Sequence, residues 1–490
     1  MSSLVDRDLA VFWHPCSQMR DFVEFPPLEI VAARGARLVL ADGREVLDAI
    51  SSWWCKSLGH GHAGVRARIE AQLDRFEHVI AANTTHAALV ELCERLLAMA
   101  NGAPASAWGP RAGTGTGSPR PAGSMSAGGG HFARVFLADN GSTAVEIALK
   151  MALQAQAQRG RTRRTRFASL AGGYHGETVA TLSVGDLGLY SDPYRPLMFP
   201  VTKLEPVPLR SGAEDPAWMD ASREWKLMEV MLAPIADSLA AIVYEPVLQA
   251  AGGMRLYSPD LLRHLRGWAD QHDVLLIADE IAAGMGRLGT MLASTWAAPP
   301  SRRDGGCVGG EPARPSWLPD FVVLSKGLTA GFLPLSAVLT TGAIYADFDG
   351  EWAEQRAFLH SNTFTGNALG IAAALGALDA YATEGVLEHV VRAGARLRAG
   401  LGELARREPS LFHARGLGLV GAVDLRAPGG RPLDPAARTG RRVFREAVRR
   451  GALLRPLGDT LYLFPPLNTT DGDLDQMLSI LADSVAAVLR

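Results

Sequence analysis

The chain has 490 residues, 48% of them hydrophobic and 20% charged, with a formal net charge of −2 and a pI near 6.6. A chain this long buries roughly three quarters of its unfolded surface and needs no disulfides; its four cysteines (Cys16, Cys55, Cys93, Cys307) contain no CxxC pair that would suggest zinc or a cystine framework. Balanced charge gives no global attraction to nucleic acid or an anionic membrane, and no apolar run reaches the ~20 residues that span a bilayer, so a soluble cytoplasmic protein with neither partner is expected.

Residues 1–60 carry two early aspartates and no long apolar core, unlike a signal peptide. This segment is expected to join a smaller C-terminal domain. In LGHGHAG, His60 and His62 have metal-ligand chemistry, but no carboxylate or cysteine lies beside them in sequence, so a loop role is preferred. Residues 61–345 hold the apolar runs 134–139, 166–170, 240–245, 274–279, 321–325 and 335–340, which read as strands of a sheet covered on both faces. Helical stretches lie between them, such as 143–157 and 259–272; Val145, Leu149 and Ala152 form a stripe in the first. The alternation predicts a large α/β domain with a mainly parallel central sheet between helices and right-handed crossovers.

Two stretches interrupt it. Residues 101–130 are mostly Gly, Ala, Ser, Thr and Pro, and 299–316 are a shorter version; both are expected to be flexible surface insertions. The arginine cluster at 159–166 joins a helix to a strand and reads as a solvated loop. Residues 346–490 are expected to form the smaller α+β domain, with helices over 366–383 and 387–407. A hairpin is expected over 452–466, turning at Gly458-Asp459.

Open α/β sheets bind ligands beyond the carboxyl ends of their strands. There the sequence places Asp139-Asn140-Gly141-Ser142, Gly172-Gly173-Tyr174-His175-Gly176, Glu245, Asp279-Glu280 and Lys326. Gly141-Ser142-Thr143 opens a helix after a strand, where free N–H groups and the helix dipole suit a phosphate; a plain N-cap by Ser142 is the alternative. Asp279 ends the most apolar strand and needs a positive or hydrogen-bonding partner. A protonated pyridine nitrogen would serve and would make that ring an electron sink; a structural salt bridge would serve equally. Ile281 is placed to pack on such a ring. Of 49 basic residues only five are lysine, and one of these, Lys326, follows the 321–325 strand. Lysine, unlike arginine, forms imines and moves protons once its pKa is lowered. The GMGRLG at 284–289 matches GxGxxG but begins five residues past its strand, and the acidic residue expected about 20 positions on falls in 299–316, which argues against a dinucleotide.

In order along the chain, DNGSTAVEIALKMA, GGYHGET, LLIADEIAAGMGRLG, LSKGLTAGFLPLS and HSNTFTGN resemble the class III (ω-type) aminotransferases of PLP fold type I, over nearly the whole chain outside the insertions. The resemblance implies pyridoxal 5′-phosphate (PLP) as cofactor, carried as a Schiff base on Lys326. It implies Gly141, Ser142 and Thr363 at the phosphate, with Thr363 reaching in from the other subunit of a homodimer, and Asn362 also binding the cofactor. Asp279 would pair with the ring nitrogen, with Tyr174 and Ile281 against the ring. WHPCSQM, Ser51-Ser52-Trp53-Trp54 and LLRPLGDTLYLFPPL are similar to the branch of the family that serves biotin synthesis. That likeness implies S-adenosylmethionine as amino donor and 7-keto-8-aminopelargonate as acceptor. It places Trp53 and Trp54 in the substrate pocket wall and Arg455 at the substrate carboxylate, with Cys16, Tyr174, Lys326 and Ser361 also lining the site. Two positions depart from the pattern: Cys16 stands where tyrosine is frequent after WHP, and Ser361 where some members have glycine. Lysine as donor, another class III ω-aminotransferase, a nicotinamide oxidoreductase using GMGRLG and a non-catalytic paralogue are the alternatives.

Overall fold

A computed structural model describes residues 3–110, 130–298 and 317–489. Among them is a seven-stranded sheet in the spatial order Phe132–Ala138, Ser336–Thr341, Phe321–Leu324, Leu275–Asp279, Leu239–Tyr244, Arg166–Leu170, Val201–Leu204. Ser336–Thr341 runs antiparallel to both neighbours and the other pairings are parallel. The six predicted runs all lie in this sheet. The seventh strand, VTKL, was not predicted because it sits at an edge, is only partly buried and carries Lys203. Central strands such as Leu239–Tyr244 and Leu275–Asp279 are buried at every position.

Successive side chains of a strand point to opposite faces, and helices cover both. On one face Ile277, Val243 and Val323 meet Val145, Leu149 and Ala152 of the helix Gly141–Gln158. On the other, Leu276, Ala278 and Ile242 meet Leu261, Leu265 and Trp268 of the helix Asp260–His272. Both faces being dry, the carboxyl ends of the strands are the open place for polar chemistry.

The N-terminal strands Ile30–Arg34, Arg37–Leu40 and Glu45–Asp48 share a sheet with Ala452–Leu453. A separate sheet joins Leu411–Leu417, Val420–Leu425 and Thr460–Leu463. The run 452–466 is therefore not a hairpin. Ala452–Leu453 pairs parallel with Glu45–Asp48, and Thr460–Leu463 pairs antiparallel with Val420–Leu425. Only the turn around Gly458 is as expected, with Leu457 and Thr460 bridged. Pro456 has no N–H for a ladder, and each apolar run finds a partner elsewhere. The helices expected in this half are Ala368–Thr383 and Val386–Arg407.

The stretch 101–130 is not loop throughout. Ala105–Trp108 is a helical turn whose Trp108 is buried in the main core. The Trp108 carbonyl accepts from the buried Arg95 Nε at 2.6 Å, and Asn101 pairs twice with the Phe132 backbone, closing the base of the segment. A composition-based reading misses a single aromatic anchor. Residues 111–129 and 299–316 lie outside the described residues. Trp108→Ala is expected to cost about 3–5 kcal/mol, read as a lowered denaturation midpoint with cofactor present; an unchanged midpoint would show that the anchor carries no weight.

No described helix is long and apolar enough to cross a membrane.

Candidate active site

The carboxyl ends of four strands and the start of Gly141–Gln158 meet in one cleft. It gathers the predicted Trp54, Gly141, Ser142, Tyr174, Asp279, Ile281 and Lys326, together with Asn140, His175 and Glu245. Lys326 follows its strand at φ 31° and begins a short 3-10 turn. Its Nζ lies 5.1 Å from the centre of the Trp54 ring. Removal from water lowers the lysine pKa, and the Asp279 and Glu245 carboxylates work against that shift.

Asp279 is 4% exposed. Its Oδ2 lies 2.9 Å from His175 Nδ1, and its Oδ1 accepts the Ile281 N–H at 3.1 Å. Glu245 accepts the Tyr174 and Ala250 N–H groups, at 2.9 and 3.0 Å. Burial first, and then Asp279, push the Glu245 carboxyl up to about 8. Glu245 was visible in the sequence by the strand-end rule but received no role. His175 was visible likewise, and the contact that matters, to Asp279 across 104 positions, was not.

Asn140, not Ser142, caps the helix: its Oδ1 accepts the Thr143 N–H at 3.0 Å. The Ser142 hydroxyl instead accepts the Glu177 N–H at 3.3 Å and lines the cleft. Two glycines allow this close packing. A Cβ on Gly141 would come within 2.7 Å of Ile281 Cδ1, and one on Gly176, at φ +126°, within 2.2 Å of Ser142 Oγ. The helix start stays open for a phosphate, the buried Asp279 suits a protonated ring nitrogen, and a lysine of lowered pKa suits an aldehyde. These residues fit PLP.

An unusual backbone leads to Trp54 at the edge of the cleft. Ser51, Ser52, Trp53 and Trp54 have φ of 50°, 44°, 69° and 72°, four left-handed residues in a row and none of them glycine. Such a conformation costs roughly 1–2 kcal/mol per residue, and its neighbours hold it. Trp54 N–H reaches Ile50 O at 2.8 Å, Ser51 Oγ donates to Phe464 O at 2.8 Å, and Trp54 Nε1 donates to Tyr462 OH at 3.2 Å. The Arg455 guanidinium carbon lies 4.2 Å from the Trp53 ring centre, and Nη2 donates to the Cys16 carbonyl at 3.2 Å. Cys16 Sγ is 3.7 Å from Glu177 Oε1, which also accepts the Tyr174 hydroxyl at 3.0 Å. Burial, then Glu177, raise the pKa of both the Cys16 thiol and the Tyr174 phenol. Glu177 was missed: GYHGET draws attention to its aromatic and glycines, and nothing local marks the carboxylate.

Cys16, Trp53, Ser361, Asn362, Thr363 and Arg455 are not among the residues lining this chain's cleft. Ser361 and Thr363 are exposed, and Asn362 Oδ1 is buried without a partner. The GMGRLG segment opens no helix, as a dinucleotide fingerprint must; it is a buried turn whose Arg287 donates to Leu419 O and Pro465 O at 2.9 and 2.7 Å. His60 bonds Asp48 at 2.9 Å and His62 bonds Glu384 at 3.1 Å. Among the described residues no cluster could hold a metal ion.

A lysine amine, a buried aspartate and an open helix start, gathered at the strand ends of a sheet of this order, define an enzyme of PLP fold type I. The chain belongs to the class III aminotransferases, whose family pattern matches residues 20–485, and it is a PLP-dependent transaminase. It is similar to the adenosylmethionine-8-amino-7-oxononanoate aminotransferase of Geobacter sulfurreducens, with 34% identity over 99% of this chain and 98% of the relative. It is similar also to the enzyme of that name from Nitratidesulfovibrio vulgaris, at 36% over 98% of this chain and 81% of the relative. Among solved structures, the adenosylmethionine-8-amino-7-oxononanoate aminotransferase of Methanocaldococcus jannaschii superposes with a TM-score of 0.84 at 27% identity, covering 99% and 98% of the two chains. A PLP-bound amine transaminase from an uncultivated Pseudomonas species superposes at 0.82 with 32% identity, covering 97% and 98%.

Proposed function

We propose that this aminotransferase converts 8-amino-7-oxononanoate (7-keto-8-aminopelargonate) to 7,8-diaminopelargonate in biotin synthesis, with S-adenosylmethionine as amino donor, as a cytoplasmic homodimer. The observation that carries the reading is full-length likeness to enzymes bearing that name, at 34% and 36% identity. Arg455, stacked on Trp53, would offer a forked guanidinium for the carboxylate of the acceptor.

PLP supplies an aldehyde that takes up the donor's amino group and a ring that stores the electrons released when a C–H bond breaks. Lys326 Nζ, favoured in its uncharged form by desolvation, takes the proton from the substrate carbon and returns it nearby. Asp279, oriented by His175, favours a proton on the ring nitrogen. Gly141 and Ser142 would hold the phosphate, and Thr363 of the partner subunit would complete that grip. Trp53, Trp54 and Tyr174 exclude water, while Cys16 and Ser361 shape the substrate side.

The deciding measurement is formation of 7,8-diaminopelargonate with S-adenosylmethionine as sole donor. Product is expected; product only with lysine would change the donor and keep the acceptor. A second reading, an amine transaminase of broader scope, is favoured by the 32% identical amine transaminase and by Cys16 standing against Glu177 where tyrosine is frequent. Turnover of simple amines with pyruvate, and none of 8-amino-7-oxononanoate, would select it.

A further inference from the structure

The left-handed turn Ser51–Trp54 carries one aromatic ring to each of two cations: Trp53 to Arg455 and Trp54 to Lys326. Nothing in the sequence of the turn itself favours such a backbone, so something outside must impose it. The fully buried carboxylate of Asp48 is the group in place to do so. Its Oδ1 accepts the Ser52 N–H at 2.9 Å, and its Oδ2 accepts the Ser52 hydroxyl at 2.7 Å and faces His60 Nε2 at 2.9 Å. His60 is itself tied to Gly35 by two backbone hydrogen bonds of 2.9 and 2.8 Å. Two bonds to one serine, made four positions back along the chain, fix Ser52 at φ 44°, ψ 56°.

The strand register strengthens the case. Asp48 pairs with Leu453 in a parallel ladder. The turn with Trp53 leaves one strand of that pair, and Arg455 leaves the other two residues later. Parallel strands deliver their following segments to the same end of a sheet, so a fixed turn sets the distance between the indole and the guanidinium.

We propose that Asp48, with Ser52 and His60, is a positioning residue for substrate recognition, acting by holding Trp53 against Arg455. The proposal rests on the reading that Arg455 takes the substrate carboxylate. A neutral side chain of the same shape is a poor replacement for Asp48: an amide puts an N–H donor where one carboxylate oxygen accepts from the Ser52 hydroxyl, so that bond must reverse and the charge is lost. Glycine at position 52 occupies left-handed backbone without help, so it relieves the need for the brace.

The test is steady-state kinetics on the PLP-loaded protein, with 8-amino-7-oxononanoate or pyruvate as the carboxylate-bearing acceptor, whichever turns over. Asp48→Asn is expected to raise the acceptor KM about tenfold and change kcat less than about threefold, the pattern of lost binding common to ground and transition states. PLP content and the visible cofactor spectrum stay as in the wild type. The double variant Asp48→Asn/Ser52→Gly is expected to recover most of the KM. If Asp48→Asn does not fold, Ser52→Ala, which removes one bond to the carboxylate, is expected to raise KM about two- to threefold with the same split. An unchanged KM, equal loss in kcat and kcat/KM, or failure of glycine to restore KM would overturn the proposal. Arg455→Ala separates the two readings. If it leaves the acceptor KM unchanged, the carboxylate reading is wrong and the positioning role falls with it. If it raises KM and Asp48→Asn does not, only the positioning role is lost.

Discussion

Lys326→Ala is expected to reduce turnover by about 10⁴-fold or more, since one change removes both the covalent attachment of the cofactor and the group that moves the proton. The protein should still take up PLP, because the features read as the phosphate site and the ring-nitrogen partner do not depend on the lysine: the open helix start at Gly141-Ser142 and the Asp279–His175 pair remain. Fold should also survive, because Lys326 is the first residue of a short turn rather than part of a strand or long helix. Borohydride treatment followed by mass measurement gives the clean readout. The wild type is expected to gain the mass of the reduced cofactor and the variant to gain nothing, while both bind PLP before treatment. A variant that still fixes the cofactor covalently would move the assignment to another of the five lysines. Lys56 would be the first to examine, since burial lowers its pKa and Cys55 lies within electrostatic reach of both Lys56 and Lys326.

Those chemical groups were legible because each is marked by its neighbours in sequence. Asp279 and Lys326 follow apolar strands, and Gly141-Ser142 follows a strand and opens a helix; the strand-end rule finds all of them without long-range information. What the sequence hides is whatever two distant segments make together. The Asp279–His175 bond, the Glu177 contacts and the Asp48–Ser52–His60 cluster all need the fold first. His60 shows the limit well. No carboxylate stands beside it in sequence, yet Asp48 meets it in space after the chain turns through Ser51–Trp54. Periodicity also misreads local closeness as pairing. Two apolar runs around Gly458 look like a hairpin, but their hydrogen bonds go to strands more than thirty and four hundred positions away. Trp108 fails for the opposite reason: one buried indole decides the structure of a segment whose composition is otherwise that of a loop.

Asp279→Asn is the second large effect, and it isolates charge from shape. The amide keeps the size of the side chain, and Oδ1 can still accept from the Ile281 N–H. What is lost is the negative charge in a place with almost no access to water, where Coulomb interactions are strongest. A ring nitrogen beside a neutral amide loses its proton more easily, so the ring stores electrons less well in the step where Lys326 Nζ takes the substrate proton. Turnover is expected to fall by roughly 10²–10³-fold, the size seen when one preorganised electrostatic contact is removed from a transition state. PLP content should stay near that of the wild type, because the phosphate grip is untouched. The loss should fall on both half-reactions alike, since both break a C–H bond next to the same ring. That distinguishes it from Arg455→Ala, expected to weaken the acceptor step and spare the donor step. A cofactor methylated at the ring nitrogen carries the positive charge without a proton, and is expected to restore part of the rate to Asp279→Asn. If the methylated cofactor restores nothing while PLP content is normal, Asp279 acts by holding His175 and the Tyr174 turn in place, and the electrostatic role assigned to it is wrong.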